Sequence, residues 1–457
     1  MNESITSTTR TFTASASLAA IGIKLRELKL FQPIEHTVQI AQKTIKDSPS
    51  NKLYDAFISL LAGAHGLVEI NTRLRADAAL QRAFGRSRCA EQSVVQDTLN
   101  ACTAENVEQM QQAMDSIYRQ HSQGYQHDYQ ASFQVLDVDM SGLPCGPKAG
   151  FATKGYFAKQ RNRRGRQLGR VLASHSGEIV VDRLFDGKTQ LTRALQPLVL
   201  AAEATLHLDE NKRRRTIVRV DAGGGSLEDI NWLLAHSYLV HCKDYSGQQA
   251  KRLAKSVQDW YIDPHQPERQ LGWVTETTQA YVRPVKRIAV RCRQQDGKFA
   301  YGVLISALSA QHVLTLTGQP LCLLDDPAAV LLAYVRFYDQ RGGGVETSFK
   351  GDKQGLGIGK RNKKRFAAQQ MIMLLGSLAH NVILWARRWL ASPALQQYGM
   401  LRMVRDVFHI SGFLLLDAFG QVVQLVLNQA APLAPALVDP LCLLLARTHV
   451  AVNLGQT

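Results

Sequence analysis

Three acidic residues that lie far apart in the chain could bind divalent metal ions together. Asp139 lies near the end of an apolar segment typical of a β-strand, Asp221 directly follows another such segment, and Glu346 lies in a later helical segment. Mg²⁺ and Mn²⁺ prefer carboxylate oxygens and water as ligands, and two such ions about 4 Å apart can hold both the attacking and the departing oxygen of a phosphodiester. Together the three residues predict metal-assisted phosphoryl transfer with two bound Mg²⁺ or Mn²⁺ ions.

Each acid taken singly has a simpler interpretation as a surface or helix-capping residue. Asp137 is a rival for the first metal position, because it lies two residues before Asp139 on the same face of the strand. A charge inside an apolar strand is costly unless it is paired or metal-bound. The sequence leaves the choice between the two aspartates open.

Cationic side chains near Glu346 suit phosphate binding. Tyr338 and Arg341 precede it, and Lys350 and Lys353 follow it at spacings that put both lysines on its face of a helix. A lysine four residues after a glutamate is also a common solvent-exposed ion pair, which is the simpler interpretation.

The chain as a whole is basic, with 54 Lys and Arg against 38 Asp and Glu and a net charge of +16. Such a surplus favours a polyanionic partner, because each neutralised phosphate releases condensed counterions. The acid-free segment 154–170, which includes Arg163, Arg164 and Arg166, and a second basic segment at 350–365 are expected to follow a DNA backbone. The alternative for both segments is a solvated loop.

The order of elements predicts an α/β fold that can hold the acids together. Residues 1–130 have helical periodicity and predict a DNA-binding or dimerisation domain. Residues 131–265 predict the order β-β-β-α-β-α-β of a ribonuclease-H-like mixed sheet with flanking helices, a β-rich insertion follows at 266–325, and the core resumes at 326–395. The helices of this last part are expected to be interrupted by a glycine-rich break. A hairpin of Val407 to Leu416 against Gln421 to Leu427, turning at Gly420, and a helical tail are expected in 396–457. The Ser- and Thr-rich N-terminal stretch before residue 26 is expected to be a loose leader.

Two of the acids lie in short recurring motifs. The segment RVDAGGGS around Asp221 has the form R-x-D-x-G before a helix, and DVDMSG around Asp139 has Asp, any residue and then Ser. A third motif combines Tyr338, Arg341, Glu346 and Lys353. With these motifs, residues 130–390 resemble the DDE transposases of bacterial insertion sequences, in the branch with a β-rich insertion and a YREK signature. That signature has three residues between Arg and Glu, whereas this chain has four, including a run of three glycines.

The resemblance implies a function and a set of roles. Asp139, Asp221 and Glu346 would bind the catalytic metals, and Tyr338, Arg341 and Lys353 would hold double-stranded DNA at a transposon end. The protein would cleave that end and join it to target DNA, as a homodimer on DNA. Two alternatives remain: a catalytically inactive, transposase-derived DNA-binding protein, and a structure-selective nuclease of the same fold.

Other classes of protein find little support in the sequence. The glycine-rich segments at 223–226 and 355–360 lack the residues of a nucleotide-binding loop, so no nucleotide cofactor is expected. Seven scattered cysteines without a CxxC spacing favour a reducing compartment. Charged residues and prolines interrupt the most apolar stretches, so no membrane association is expected. The predicted location is the bacterial cytoplasm, in contact with the nucleoid.

Overall fold

The chain forms two compact units in a computed structural model that describes residues 8–43, 46–155, 157 and 162–456. Unit 1 draws its described residues from 1–122, 144–152 and 349–457, and unit 2 from 123–143 and 153–348. Both units are therefore built from separate stretches of sequence. The five-part division expected from the sequence remains a prediction.

The bounds of the elements follow in chain order. The helices are α1 Ala16–Glu27, α2 Gln32–Thr37, α3 Pro49–Leu61, α4 Ile70–Arg73, α5 Ala78–Ala83, α6 Gln92–Ala101, α7 Ala104–His121, α8 Leu191–Leu206, α9 Glu210–Arg214, α10 Leu227–Ala235, α11 Gly247–Leu253, α12 Ala310–Leu316, α13 Pro327–Arg341, α14 Thr347–Gly355, α15 Phe366–Leu390, α16 Met400–Arg402 and α17 Ala434–Leu445. The strands are β1 Thr9–Thr13, β2 Gln134–Pro144, β3 Thr153–Lys154, β4 Arg164–Ala173, β5 Glu178–Asp186, β6 Thr216–Val220, β7 Leu239–Lys243, β8 Tyr261–Asp263, β9 Gln266–Trp273, β10 Lys286–Arg293, β11 Phe299–Ser306, β12 Gly412–Leu416, β13 Val422–Asn428 and β14 Ala451–Gly455.

Unit 2 is organised around one large mixed sheet. Within the described residues this sheet has ten strands, and its central run is β5-β4-β2-β6-β7. Strands β2, β6 and β7 are parallel, whereas β5 is antiparallel to β4. This run is the ribonuclease-H-like order, so the predicted fold class is confirmed. It brings the first and fourth strands of the core side by side.

The β-rich segment continues this sheet instead of forming a separate one. Strand β11 pairs antiparallel with β7, and β10, β9 and β8 follow in order. The sequence predicted antiparallel strands here, but their alternating pattern does not reveal which edge they would join. Because β7 would otherwise be an edge strand with unpaired backbone groups, β11 satisfies hydrogen bonds that the core leaves open.

Helices cover both faces of the sheet and fix its position. On one face, Leu198 of α8 packs directly over Gly169 of β4, where any side chain at the glycine would clash with it. On the other face, Val135 and Ile217 of the parallel strands share a buried apolar cluster with Leu331 of α13. The cluster holds α13 against the strands that carry the aspartates, and α13 leads directly to Glu346.

A buried histidine gives this packing a pH dependence. His241 of β7 is completely buried; its Nε2 lies 3.1 Å from the Tyr334 carbonyl, to which it donates, and its Nδ1 lies 3.0 Å from the Ser306 hydroxyl, from which it accepts. Burial, together with the nearby positive charge of Arg219, lowers its pKa to about 3. Between about pH 3 and the ordinary pKa of 6.5, the unfolded chain binds a proton at this site that the folded chain does not.

We therefore expect unit 2 to lose stability as the pH falls below about 6.5. Urea unfolding of the wild type and His241→Gln at pH 7.5 and pH 5 checks this. The wild type should lose more unfolding free energy between the two pH values than the variant, which has no imidazole to protonate. An equal loss in the two proteins would contradict the assignment.

Unit 1 combines helices with a small sheet. Strands β1, β12, β13 and β14 form the sheet, in that order. Helix α15 is the one helix in the described chain that is long and apolar enough to cross a membrane, but 89% of its most apolar window is buried inside the structure. Its neighbours in unit 1 include α3, α6, α7 and α17, so α15 is a core helix of that unit.

Two expectations for unit 1 are corrected. From residue 9 the N-terminal stretch is β1 followed by α1, not a loose leader, because β1 pairs with β12 and α1 buries almost all of its apolar residues. The C-terminal hairpin does turn at Gly420, whose φ of 75° suits the turn, but its first strand begins only at Gly412. The preceding residues, Met403–Val407, form a π-helix.

Candidate active site

The register of the central strands brings the two aspartates together. In the parallel pair of β2 and β6, Val138 is aligned with Val220, so Asp139 and Asp221 are the next residues along their strands. This is the carboxyl edge of the sheet, where ligands bind in open α/β folds. Asp221 accepts a hydrogen bond from the Gly223 amide at 2.8 Å, because it caps a short 3₁₀ helix that leaves the strand.

Asp137, the rival for the first metal position, is hydrogen-bonded to other side chains of the protein. It is fully buried, and both of its carboxylate oxygens accept bonds from the Arg219 guanidinium, at 2.7 and 2.8 Å. The Ser174 hydroxyl donates a third bond at 2.6 Å. A carboxylate with this set of partners is neutralised by the protein itself, as is typical of a structural ion pair.

The extra residue before Glu346 is taken up by a change of helix type. Gly342–Glu346 is a π-helical turn that continues α13 into α14, so the glycine run is not the break expected from the sequence. In a π-turn, residues five apart lie over one another, whereas an α-helix aligns residues four apart. Arg341 and Glu346 are five residues apart, and their side chains form an ion pair in which Arg341 Nη1 lies 3.0 Å from Glu346 Oε1. The π-turn thus restores the alignment that a shorter spacing would give in an α-helix.

A glycine lets this turn approach the sheet. A Cβ atom at Gly344 would lie 2.8 Å from an Asp137 carboxylate oxygen. Any side chain at that position would push the turn away from β2, because the Asp137 carboxylate is held by Arg219 and cannot move aside. Gly344 therefore sets how close Glu346 comes to the aspartates.

Arg341 joins two of the three acids. Its guanidinium, which is only 3% exposed, lies 3.1 Å from an Asp139 carboxylate oxygen and 3.0 Å from one of Glu346, and also donates to the Val138 carbonyl. Burial disfavours the charged guanidinium, but the surrounding carboxylates, Asp139 first among them, raise the Arg341 pKa overall. Arg341 thus supplies positive charge between Asp139 and Glu346.

The surroundings of Asp139 raise the pKa of its carboxyl group. Burial raises its pKa to about 6, and the negative charges of Asp221 and Glu346 act in the same direction, while Arg341 opposes them. Perturbation of this kind, by burial together with neighbouring like charges, is common at functional sites. The three predicted acids are therefore close enough to influence one another.

A comparison with known families identifies the chain. The family model described as the transposase DDE domain matches residues 130–382, more than half of the sequence. The chain belongs to the DDE transposase family. Among solved structures it is similar, at 12% identity and a TM-score of 0.44, to a piggyBac transposase in a synaptic complex with hairpin DNA, over 88% of this chain and 82% of that one. Curated proteins gave no match.

The donor set of this DDE domain suits the divalent metals that the family implies. Asp139, Asp221 and Glu346 offer hard oxygen ligands only, as Mg²⁺ and Mn²⁺ require. In the described part of the chain, however, no three acidic, histidine or cysteine side chains stand close enough to hold an ion as they are now arranged. Arg341 occupies the position between Asp139 and Glu346. Because Glu346 is 58% exposed, it has room to rotate.

The remaining predicted residues of the DDE domain fall in different surroundings. Tyr338 of α13 is half-buried, and its phenol pKa is raised, first by burial and also by Asp221 and Glu346. Arg163 and Arg164 are exposed at the start of β4, whereas Arg166 is only 1% exposed and does not face solvent. Part of the basic segment, residues 156 and 158–161, lies outside the described residues.

Lys350 and Lys353 are on α14 in unit 1, exposed and half-buried respectively. The DDE-domain residues that sequence reasoning missed are Arg219, Ser174 and Gly344. A signal for Arg219 was available, because it is aligned with Asp137 once β2 and β6 are paired in register. Ser174 and Gly344 gave none, since their roles depend on tertiary contacts.

Proposed function

We propose that the protein is a DNA transposase that cleaves DNA at transposon ends and joins the freed 3′-hydroxyl to target DNA. The observation that carries the proposal is the meeting of Asp139 and Asp221 at one sheet edge, with Glu346 tied to Asp139 through Arg341. The DDE family match over residues 130–382 supports it. We also propose that the protein belongs to the branch of this family found in bacterial insertion sequences, because its sequence motifs resemble those of that branch.

The three acidic residues would share one role in the proposed chemistry but differ in how freely they move. Asp139, Asp221 and Glu346 would hold two divalent ions, which supply charge stabilisation for the phosphodiester and activate the attacking oxygen. The two aspartates are fixed on neighbouring strands, so they define the position of the reacting phosphate. Glu346, at the end of the π-turn and largely exposed, is free to leave Arg341 and turn toward the aspartates.

Arg341 would then have a second role. Without Glu346, its guanidinium keeps the Asp139 contact and the Val138 carbonyl, which fix it beside the site. A guanidinium released from one carboxylate can bind a phosphate oxygen in a similar geometry. We infer that Arg341 exchanges Glu346 for a DNA phosphate when the site is loaded.

Further DNA contacts are assigned to exposed or half-exposed polar residues. Tyr338 lies beside the site, Arg163 and Arg164 are exposed at the start of β4, and Lys350 and Lys353 are on α14. Arg166 is left out of this set, because its side chain is buried. We propose that these residues contact the phosphate backbone of double-stranded DNA, that two copies of the chain act together on a pair of ends, and that the protein works in the cytoplasm.

The test is a strand-transfer assay. Purified protein is incubated with Mg²⁺, a supercoiled target plasmid and labelled duplexes that carry the termini of the surrounding genomic element. Transfer of label to the plasmid supports transposition. Cleavage without transfer would favour the structure-selective nuclease, and DNA binding without either reaction would favour the inactive DNA-binding protein.

A further inference from the structure

A strongly exposed aromatic residue lies in unit 1, in the loop that follows β2. The Phe151 side chain is 64% exposed, and its backbone has a φ of 60°, in the left-handed region. For a bulky residue this conformation is an outlier, and strained backbone of this kind clusters at functional sites. The fold thus holds a large apolar ring in water on a strained backbone.

The loop is held by hydrogen bonds to the segment that immediately precedes α15. The Gly150 amide donates to the Lys364 carbonyl at 2.8 Å, and Asn362 donates to the Pro144 carbonyl at 3.2 Å. The Phe151 ring packs against that of Phe366, the first residue of α15, with centroids 4.8 Å apart and planes tilted by 55°. One side of Phe151 is therefore supported, while the rest faces solvent.

Three exposed basic residues lie close in sequence to the aromatic pair. Lys148 is in the same loop as Phe151, and Lys364 and Arg365 immediately precede Phe366. The Arg365 guanidinium also donates to the Asn100 carbonyl at 2.6 Å. No acidic residue occurs between Asp139 and Glu178 or between Asp352 and Asp406, so both segments are free of negative charge. We call Lys148, Phe151, Lys364, Arg365 and Phe366 the aromatic surface.

We propose that the aromatic surface binds DNA by stacking Phe151 on an unstacked base, while its cations contact the flanking phosphates. The inference rests on the proposed function only in that DNA is the partner. Positive charge around an exposed ring suits nucleic acid, since every base has a face on which an aromatic side chain can stack. An uncharged apolar partner would gain nothing from the positive charge of these three side chains.

The experiment compares two DNA probes. One is a blunt 30-base-pair duplex, and the other is the same duplex with a five-nucleotide 3′ tail that contains 2-aminopurine, whose fluorescence reports stacking. Affinity and fluorescence are measured for the full-length wild type and for Phe151→Ala, Phe151→Tyr and Phe419→Ala. Phe419 is a matched control in the same unit, since it is 88% exposed but lies two residues from Asp417.

We expect Phe151→Ala to weaken binding of the tailed probe about 5- to 150-fold, the range for loss of one base–aromatic stack. The 2-aminopurine response should disappear with it. Phe151→Tyr should retain both signals, and Phe419→Ala should behave as the wild type. Because Phe151 is exposed, its replacement should leave the melting temperature unchanged, which thermal unfolding verifies.

Three results would overturn the inference. Phe151→Ala could bind both probes as the wild type does, or could weaken both equally, which would mean general contact without stacking. It could instead change the oligomeric state in light scattering with no effect on DNA, which would make the aromatic surface a protein interface. If the wild type binds neither probe, the proposed function itself fails, and that outcome is distinct from the other three.

Discussion

Replacing Asp221 with Asn is expected to lower the rate of DNA-end cleavage about a thousandfold. An amide removes one negative charge from the proposed metal site, and metal-based charge stabilisation is worth several kcal/mol in the transition state, at about 1.4 kcal/mol for each factor of ten. Single-turnover cleavage with Mg²⁺ measures the effect. Full activity in the variant would remove Asp221 from the site.

The same substitution should leave the fold intact. Asp221 caps its 3₁₀ helix through one carboxylate oxygen that accepts from the Gly223 amide, and Asn keeps an oxygen at that position. We therefore expect an unchanged melting temperature. Glu228→Gln is the matched control, because Glu228 is an exposed acid on the next helix, α10, and its neutralisation should alter neither cleavage nor stability.

The second large effect concerns stability. Asp137→Ala is expected to lower the free energy of unfolding by about 3–5 kcal/mol, because the Arg219 guanidinium would remain buried without its carboxylate. Denaturant unfolding measures this loss. The double variant Asp137→Leu with Arg219→Met should be more stable than the single variant, since it removes both charges together.

Asp139→Asn should give the opposite result. It is expected to abolish cleavage while changing the unfolding free energy by no more than about 1 kcal/mol, as is usual for a substitution that leaves no buried charge without a partner. Arg341 keeps Glu346 as a partner in this variant. If Asp137→Ala were fully stable and inactive while Asp139→Asn were destabilised and active, the roles assigned to these neighbouring residues would be reversed.

Much of the fold follows from the sequence. The strand and helix patterns between residues 131 and 265 predict the ribonuclease-H-like order, and that order alone brings Asp139 and Asp221 to one edge. Both residues end runs of buried, mostly apolar side chains, so their strands are easy to recognise. The insertion strands are equally visible, but their pairing with β7 is a long-range contact that no local pattern encodes.

The remaining features depend on tertiary packing. The choice between Asp137 and Asp139 requires the strand register, because only the register aligns Asp137 with Arg219. The π-turn is hidden because three glycines predict a flexible break, whereas contact with β2 holds them in a continuous helix. Likewise, Arg166 cannot be separated from the exposed Arg163 and Arg164 by composition, since only the packing of β4 buries it.

Mn²⁺ binding to the metal-free protein tests the central claim, that Asp139, Asp221 and Glu346 act on a shared pair of ions. Isothermal titration calorimetry of the wild type, Asp139→Asn, Asp221→Asn, Glu346→Gln and the Glu228→Gln control compares them directly. We predict saturable binding by the wild type and the control, and a loss of at least tenfold in affinity for each of the other three. Unaltered Mn²⁺ affinity in any one of those three would show that its carboxylate does not belong to the site.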